Sequence, residues 1–169
     1  EVTDNEVILN SGKHVSAKAV VMAIGVTPEV SLAKDADLEL GVTGGIKVNH
    51  HYQTNDPHIY AVGDAIEVTH FITKKPTRLT LAGPAQRQAR AAAGHMYGKT
   101  YRNKGVIGSS VVQCFDLNVA TTGLNSLQCE KEGIDHRIVY VIPGDKVGLM
   151  PDSNPLFFKL IIAYPSGQI

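Results

Sequence analysis

Several features that define specialised protein classes are scarce in this sequence. Its 169 residues include no tryptophan and only two cysteines, too few for the disulfide framework of a small secreted protein. Lysine plus arginine and aspartate plus glutamate both number 16, so there is no excess positive charge to attract a nucleic acid. No apolar run approaches the roughly 20 residues that a membrane-spanning helix needs. The 43% hydrophobic content is nevertheless ordinary for a globular protein with a core.

The two ends of the sequence suggest how the chain is organised. Glu1 opens directly into a strand-like pattern without a methionine, and Ile169 follows a turn signal. We therefore expect a piece of a longer protein, and we expect a cytoplasmic one because no secretory signal pattern is visible. The composition changes near residue 104, which predicts one unit over residues 1–103 and a second over residues 104–169.

The most informative stretch is Thr-Asn-Asp-Pro-His-Ile-Tyr-Ala-Val-Gly-Asp-Ala at residues 54–65. Its apolar run at 59–62 follows a turn signal and predicts a short strand buried on both faces. Gly63 has no Cβ, so a ligand can approach the backbone there. Asp64 is then expected at the carboxyl end of a parallel strand, where open α/β sheets bind ligands, and its carboxylate would accept hydrogen bonds from a hydroxyl-rich group. The alternative is an ordinary strand-to-helix turn with Asp64 as the N-cap.

The segment before this stretch predicts a hairpin and a core strand. Residues 10–13 form the expected hairpin turn, and the apolar run at 19–24 predicts a buried parallel strand that ends at Gly25. A short edge strand is expected at 46–49. We expect no metal at His50 and His51, because adjacent strand residues point to opposite faces and no cysteine or carboxylate lies at ligand spacing.

A helix is predicted from about Pro84 to Met96, with Gly98 just beyond its end. Its expected buried face is a stripe of small and apolar residues at helical spacing: Ala85, Ala89, Ala92, Ala93 and Met96. The unpaired N–H groups at the start of such a helix carry a partial positive charge that favours an anionic group. Arg87, one turn in, could reach an anionic substrate, although an arginine there is more often simply solvated.

Residues 104–169 have a different, strand-rich character. Strands are predicted at 106–115, 118–122, 134–141 and 157–164, with a short helix at 129–132 capped by Asn125 and a loop at 143–155. We interpret Cys114 and Cys129 as structural, because a small apolar cysteine usually belongs to a core.

Four of these segments resemble one family. Ile-Tyr-Ala-x-Gly-Asp-Ala at 59–65 resembles the second flavin-binding motif of the FAD-dependent pyridine nucleotide-disulfide oxidoreductases. Ala-Ile-Gly-Val-x-Pro at 23–28 is similar to the close of that family's NAD-binding domain. Leu-Ala-Gly-Pro-Ala-x-x-Gln at 81–88 and Phe-Asp-Leu-x-x-Ala-x-Thr-Gly-Leu-Asn at 115–125 resemble its coenzyme A-disulfide reductase and NADH oxidase/peroxidase branch.

The resemblance implies both a fold and an activity. Residues 1–103 would hold the ends of the α/β, Rossmann-like FAD- and NAD(P)-binding domains, and residues 104–169 would form an α+β domain that makes a homodimer. Hydride would pass from NAD(P)H to FAD, and electrons would pass through a redox cysteine to a small-molecule acceptor: a disulfide, peroxide or oxygen. The implied cofactor-binding residues are Gly25, Gly63, Asp64, Ala65, Leu81 and Ala82, with Arg87 toward the substrate.

The sequence also departs from the family pattern. The glycine motifs for FAD and NAD and the redox cysteine are absent, so we expect the isolated chain to bind FAD poorly and to catalyse nothing. Gly148-Leu149-Met150-Pro151 stands where coenzyme A-disulfide reductases tend to carry paired tyrosines, which argues against coenzyme A disulfide as the acceptor. Nitrite or a ferredoxin are alternative acceptors, and a non-catalytic dimerisation or scaffold module of the same fold is the alternative function.

Overall fold

The structure is a computed structural model that describes residues 1–101 and 103–169. Within that range the chain forms short helices and strands, and its strands pair as antiparallel two-stranded sheets. The elements are β1 Glu6–Ile8, β2 His14–Ser16, α1 Ser31–Asp35, a 3₁₀ turn Gly63–Ala65, β3 Val68–Thr69, β4 Pro76–Thr77, α2 Ala82–Met96, β5 Ser110–Cys114, β6 Leu117–Thr121, α3 Ser126–Lys131, β7 His136–Val141 and β8 Phe158–Ala163.

The amino-terminal hairpin is confirmed, but the strand predicted after it is wrong. Strands β1 and β2 pair antiparallel with Val7 opposite Val15. Residues 19–24 have no strand structure, and Val21 is 89% exposed. A parallel strand needs neighbours that pair with its backbone and cover both faces, and the described part of the chain supplies none here. Gly25 lies on the same exposed segment.

The core of the first part of the chain centres on Ile66, which is 1% exposed. Tyr52, Val68 and Ala92 are buried around it, and half-buried residues such as Leu79 pack against them. The predicted strand at 59–62 is wrong as a continuous strand: Tyr60 makes only an isolated antiparallel bridge to Gln53 and is half-buried. The reason is again that no parallel neighbour within residues 1–101 and 103–169 pairs with this segment.

The expected edge strand at 46–49 is reduced to bridges made by its first residue. Ile46 bridges Leu40 in antiparallel fashion and Ile66 in parallel fashion. Its N–H donates to the Ala65 carbonyl at 2.8 Å, and its own carbonyl accepts from Glu67 at 2.9 Å. Ile46 thereby fixes the backbone that leads out of the 3₁₀ turn.

Helix α2 is confirmed, although it begins at Ala82 and buries a different face from the one predicted. Ala92 is buried and Ala85 half-buried, as expected, but Ala89, Ala93 and Met96 are exposed. The buried place on the helix is taken by Gln88. Alanines lie on more than one side of this helix, so their spacing alone does not identify the face that packs.

Residues 104–169 form two antiparallel hairpins joined by α3. In β5–β6, Val112 lies opposite Val119, and in β7–β8, Val139 lies opposite Leu160. Helix α3 begins at Ser126, three residues earlier than predicted, and Asn125 and Gln128 form a capping box as expected for its start. Cys129 is buried, but Cys114 is exposed at the end of β5, so its interpretation as a core residue is wrong.

The β3–β4 hairpin joins the two parts of the chain. Val106 donates to the Thr69 carbonyl at 2.9 Å and accepts from Phe71 at 2.7 Å. Lys75 at the hairpin forms an ion pair of 2.6 Å with Glu132 at the end of α3. None of the helices described is both long and apolar enough to cross a membrane.

Candidate functional site

The structure brings the Gly63–Ala65 turn against the first turns of α2. Gly63 has a φ of +84°, which favours glycine, and a Cβ placed on it would lie 3.9 Å from the Ala85 Cβ. Val62 before it is extended, with φ −144° and ψ 163°. The chain therefore turns sharply at the point where it meets the helix.

Asp64 lies in this turn with its side chain exposed. Among the described residues, none donates a hydrogen bond to its carboxylate or forms an ion pair with it. The N-cap of the 3₁₀ turn is Val62 and that of α2 is Leu81, so the alternative of Asp64 as a helix cap is wrong. The carboxylate is available to accept hydrogen bonds from a ligand.

The start of α2 also has no hydrogen-bond partner from a capping side chain. Leu81 is extended and half-buried and offers no side-chain cap, and no acidic residue lies in the first turn. Ala82 and Gly83 are exposed, and a Cβ on Gly83 would approach only the Arg87 guanidinium, at 3.7 Å. The backbone N–H groups of the first turn thus retain their partial positive charge, because no described side chain caps them.

Gln88 holds these two features together, and sequence analysis missed this role. It is 3% exposed, and its Oε1 accepts the Gly63 N–H at 2.7 Å. Glutamine is rarely buried without a partner, so a glutamine among the apolar positions of α2 was a signal of such a bond. The spacing of the alanines predicts a different buried face.

A second contact joins the same helix to the segment before the turn. The Tyr60 hydroxyl lies 2.7 Å from Nδ1 of His95, in the last turn of α2. His95 stacks on His51 with ring centroids 4.2 Å apart, and Nδ1 of His51 lies 3.2 Å from the Tyr101 carbonyl oxygen. No pattern in the sequence predicts that these rings meet.

A glycine-rich loop, residues 41–45, supports the backbone that follows the turn. Gly45 packs directly against the backbone of Ile66 and Glu67. The Glu67 carboxylate accepts from both the N–H and the hydroxyl of Thr43 at 2.8 Å, and Gly41 approaches the same carboxylate. The turn is therefore held between this loop and α2.

Of the other predicted site residues, Gly25 lies apart from this arrangement, whereas Arg87 lies beside the start of α2. Gly25 is on the exposed segment, and no atom of the described residues lies within 4 Å of a Cβ built there. Arg87 is on the exposed face of α2, although it is near enough to Tyr52 to act on it electrostatically. Burial raises the pKa of the Tyr52 phenol, and the positive charge of Arg87 works in the opposite direction.

Comparison with known proteins places this geometry in context. The family described as pyridine nucleotide-disulphide oxidoreductase matches residues 1–89. An NAD(P)H sulfur oxidoreductase (CoA-dependent) of Pyrococcus furiosus is 31% identical over 93% of this chain and 36% of its own length. A coenzyme A disulfide reductase of Staphylococcus epidermidis is also 31% identical, over 99% of this chain and 38% of its own.

A solved structure agrees with these relatives. The crystal structure of reduced Bacillus anthracis CoADR-RHD superposes with a TM-score of 0.86 at 47% identity, covering 94% of this chain and 28% of that one. The chain thus spans little more than a third of the length of the curated relatives it matches. The family match extends over residues 1–89 and includes both the turn at Asp64 and the start of α2. As the motifs predicted, the chain belongs to the pyridine nucleotide-disulphide oxidoreductase family.

Proposed function

We propose that this chain is part of a flavin-dependent oxidoreductase that passes hydride from NAD(P)H through FAD to an acceptor with a sulfur–sulfur bond. The observation that carries the proposal is that the turn bearing Asp64, whose carboxylate has no partner among the described residues, packs on α2 near its uncapped start. A disulfide or persulfide is favoured over peroxide or oxygen because two relatives are named as a sulfur oxidoreductase and a coenzyme A disulfide reductase.

The residues at the turn suit FAD by their chemistry. Asp64 would accept hydrogen bonds from a chain of hydroxyls such as the flavin ribityl group, with the small residues Gly63 and Ala65 on either side of it in the chain. Leu81 caps α2 and Ala82 begins it, and the free N–H groups of this helix start would stabilise negative charge on a bound flavin ring. When bound, FAD accepts a hydride and releases electrons, while these residues bind it, orient it and hold its charge.

The remaining predicted residues receive proposed roles at the edges of this site. Gly25 leaves its backbone open on an exposed segment and would lie beside the nicotinamide of NAD(P)H. Arg87 projects from α2 without an ion pair to any described residue and would attract an anionic substrate. Both roles require parts of the protein that bring the nicotinamide and the acceptor to α2.

We propose that residues 104–169 form the surface of a homodimer. Both hairpins expose apolar side chains, among them Val111 on β5 and Tyr140 on β7. Exposed apolar strand faces are typical of interaction surfaces. The 169 residues alone would bind FAD weakly and lack activity, because nothing in them has the glycine-rich pattern that binds a pyrophosphate.

The experiment replaces Asp64 in the whole protein and measures the dissociation constant of FAD by flavin fluorescence. Hydrogen bonds to a charged group contribute about 1.5–3 kcal/mol, so Asp64→Ala should weaken FAD binding about 10- to 150-fold. Asp35→Ala is the matched control, because this exposed carboxylate of α1 also has no partner among the described residues. Equal affinities for the two variants would refute the proposal, and a whole protein that binds no FAD would favour the scaffold module.

A further inference from the structure

Gln88 is the feature of the site whose burial calls for an explanation. A buried amide costs free energy unless its polar atoms are bonded. Gln88 is 3% exposed and lies in a helix whose other buried residue is Ala92. Its Oε1 accepts a hydrogen bond from the Gly63 N–H at 2.7 Å, at the short end of the usual range for such bonds.

This bond fixes the residue that precedes Asp64. Gly63 is the first residue of the 3₁₀ turn and follows the extended Val62. Its backbone N–H needs a hydrogen-bond acceptor, and the Gln88 side chain supplies one. Gln88 is on the same helix as Ala82, less than two turns from its start. A single rigid element thus carries the free N–H groups and also sets where the Asp64 backbone stands relative to them.

A second contact on the same face of α2 helps to keep the segment before Asp64 from rotating relative to the helix. His95 lies seven residues after Gln88, a spacing that returns to the same side of a helix. It bonds the Tyr60 hydroxyl at 2.7 Å, three residues before Gly63. The segment from Tyr60 to Gly63 is therefore fastened to the helix at both of its ends.

We propose that Gln88 is a positioning residue for the cofactor-binding carboxylate of Asp64. Gln88 holds Gly63 so that the Asp64 carboxylate and the start of α2 stay at a fixed separation and can bind one ligand together. Gln88 itself does not contact that ligand. The proposal rests on the proposed function, since the ligand considered is FAD. It adds a residue whose effect on FAD affinity passes through Asp64.

The test is a double-mutant cycle in the whole protein with the FAD dissociation constant as its readout. Gln88→Met keeps the length of the side chain and removes the acceptor, and Gln86→Met makes the same change at an exposed position of α2. Coupled residues that share a network show interaction effects that correspond to about 2- to 150-fold. We expect Gln88→Met to weaken FAD binding about 5-fold or more, and less than about 2-fold when Asp64 is already alanine.

The thermal midpoint separates positioning from a merely structural role. If Gln88 only stabilises the fold, Gln88→Met lowers the thermal midpoint and weakens FAD binding by the same factor in the wild-type and the Asp64→Ala backgrounds. That result would show that the inference is wrong. Gln88→Glu keeps an acceptor oxygen at the same reach, so it should retain tighter FAD binding than Gln88→Met. If Gln88→Met does not fold, the cycle is run with Gln88→Glu and Gln88→Ser, and a serine variant as tight as the glutamate variant overturns the inference.

The two proposals fail in different ways. If Asp64→Ala leaves FAD affinity unchanged, the proposed function fails whatever Gln88 does. If Asp64→Ala weakens FAD binding and the double variant shows the product of the two single-variant effects, only the positioning role of Gln88 is wrong.

Discussion

Gly45 is the residue at which a single added methyl group should do the most damage to the support of the site. A Cβ at this position would lie 2.7 Å from the Glu67 nitrogen, 2.7 Å from the Ile66 carbonyl carbon and 3.0 Å from the Ile66 oxygen. These are backbone atoms, so no side chain can rotate away to make room. Gly45→Ala must therefore push the glycine-rich loop away from the backbone that follows the turn.

Moving the loop would strain backbone hydrogen bonds that hold the segment after Asp64 in place. The Ile46 N–H bond to the Ala65 carbonyl and the Glu67 N–H bond to the Ile46 carbonyl join the two segments directly beside the clash. Overpacking of this kind costs about 1–3 kcal/mol. In a domain of 150–250 residues each 1 kcal/mol lowers the melting temperature by about 2–4 °C, which predicts a loss of about 2–12 °C. FAD affinity should fall as well, because Ala65 follows Asp64 directly.

Gly148→Ala is the matched control for this substitution. Neither glycine has a left-handed backbone, so the exchange to alanine carries no conformational strain at either position. No atom lies within 4 Å of a Cβ at Gly148, and the smaller entropy of the unfolded chain should leave that variant unchanged or about 0.4–1 kcal/mol more stable. Thermal melts of the whole protein compare the two variants. If both melt at the same temperature, the packing of Gly45 on the Ile66–Glu67 backbone does not stabilise the protein as described.

Two further predictions concern a buried phenol and a helix cap. Burial raises the pKa of Tyr52 above its ordinary value of 10.0, so its contribution to stability is complete below about pH 10 and is lost as pH rises through the folded-state pKa. Tyr52→Phe should make the melting temperature less sensitive to pH above 10, measured in melts across the alkaline range, and an unchanged dependence would contradict the burial effect. Asn125→Ala removes a capping box from α3 and should cost about 0.5–2 kcal/mol in denaturant unfolding, whereas Asn118→Ala at an exposed position of β6 serves as the comparison.

The sequence predicted the elements whose signals are local. The capping residue Asn125 marks the start of α3, and Pro84 and Gly98 bracket most of α2, because caps and turn residues act on the backbone beside them. Gly63 and Asp64 were found in the same way, from their order after a short apolar run. Each of these predictions depends on residues only a few positions apart.

The predictions that failed depend on neighbours distant in sequence. Residues 19–24 have the composition of a buried strand, but a strand exists only where another strand pairs with it. The buried face of α2 was misjudged because alanine is compatible with both burial and exposure, and the decisive bond from Gly63 to Gln88 joins residues 25 positions apart. Cys114 is exposed for a related reason, since nothing in the described chain covers β5.

A crystal structure of the whole protein with FAD bound would test most directly whether Asp64 holds the flavin. We predict that a carboxylate oxygen of Asp64 lies at hydrogen-bonding distance, about 2.5–3.0 Å, from a ribityl hydroxyl, with the first turn of α2 facing the flavin ring. An Asp64 side chain directed into solvent, with the ribityl chain held by other residues, would contradict this account of the site.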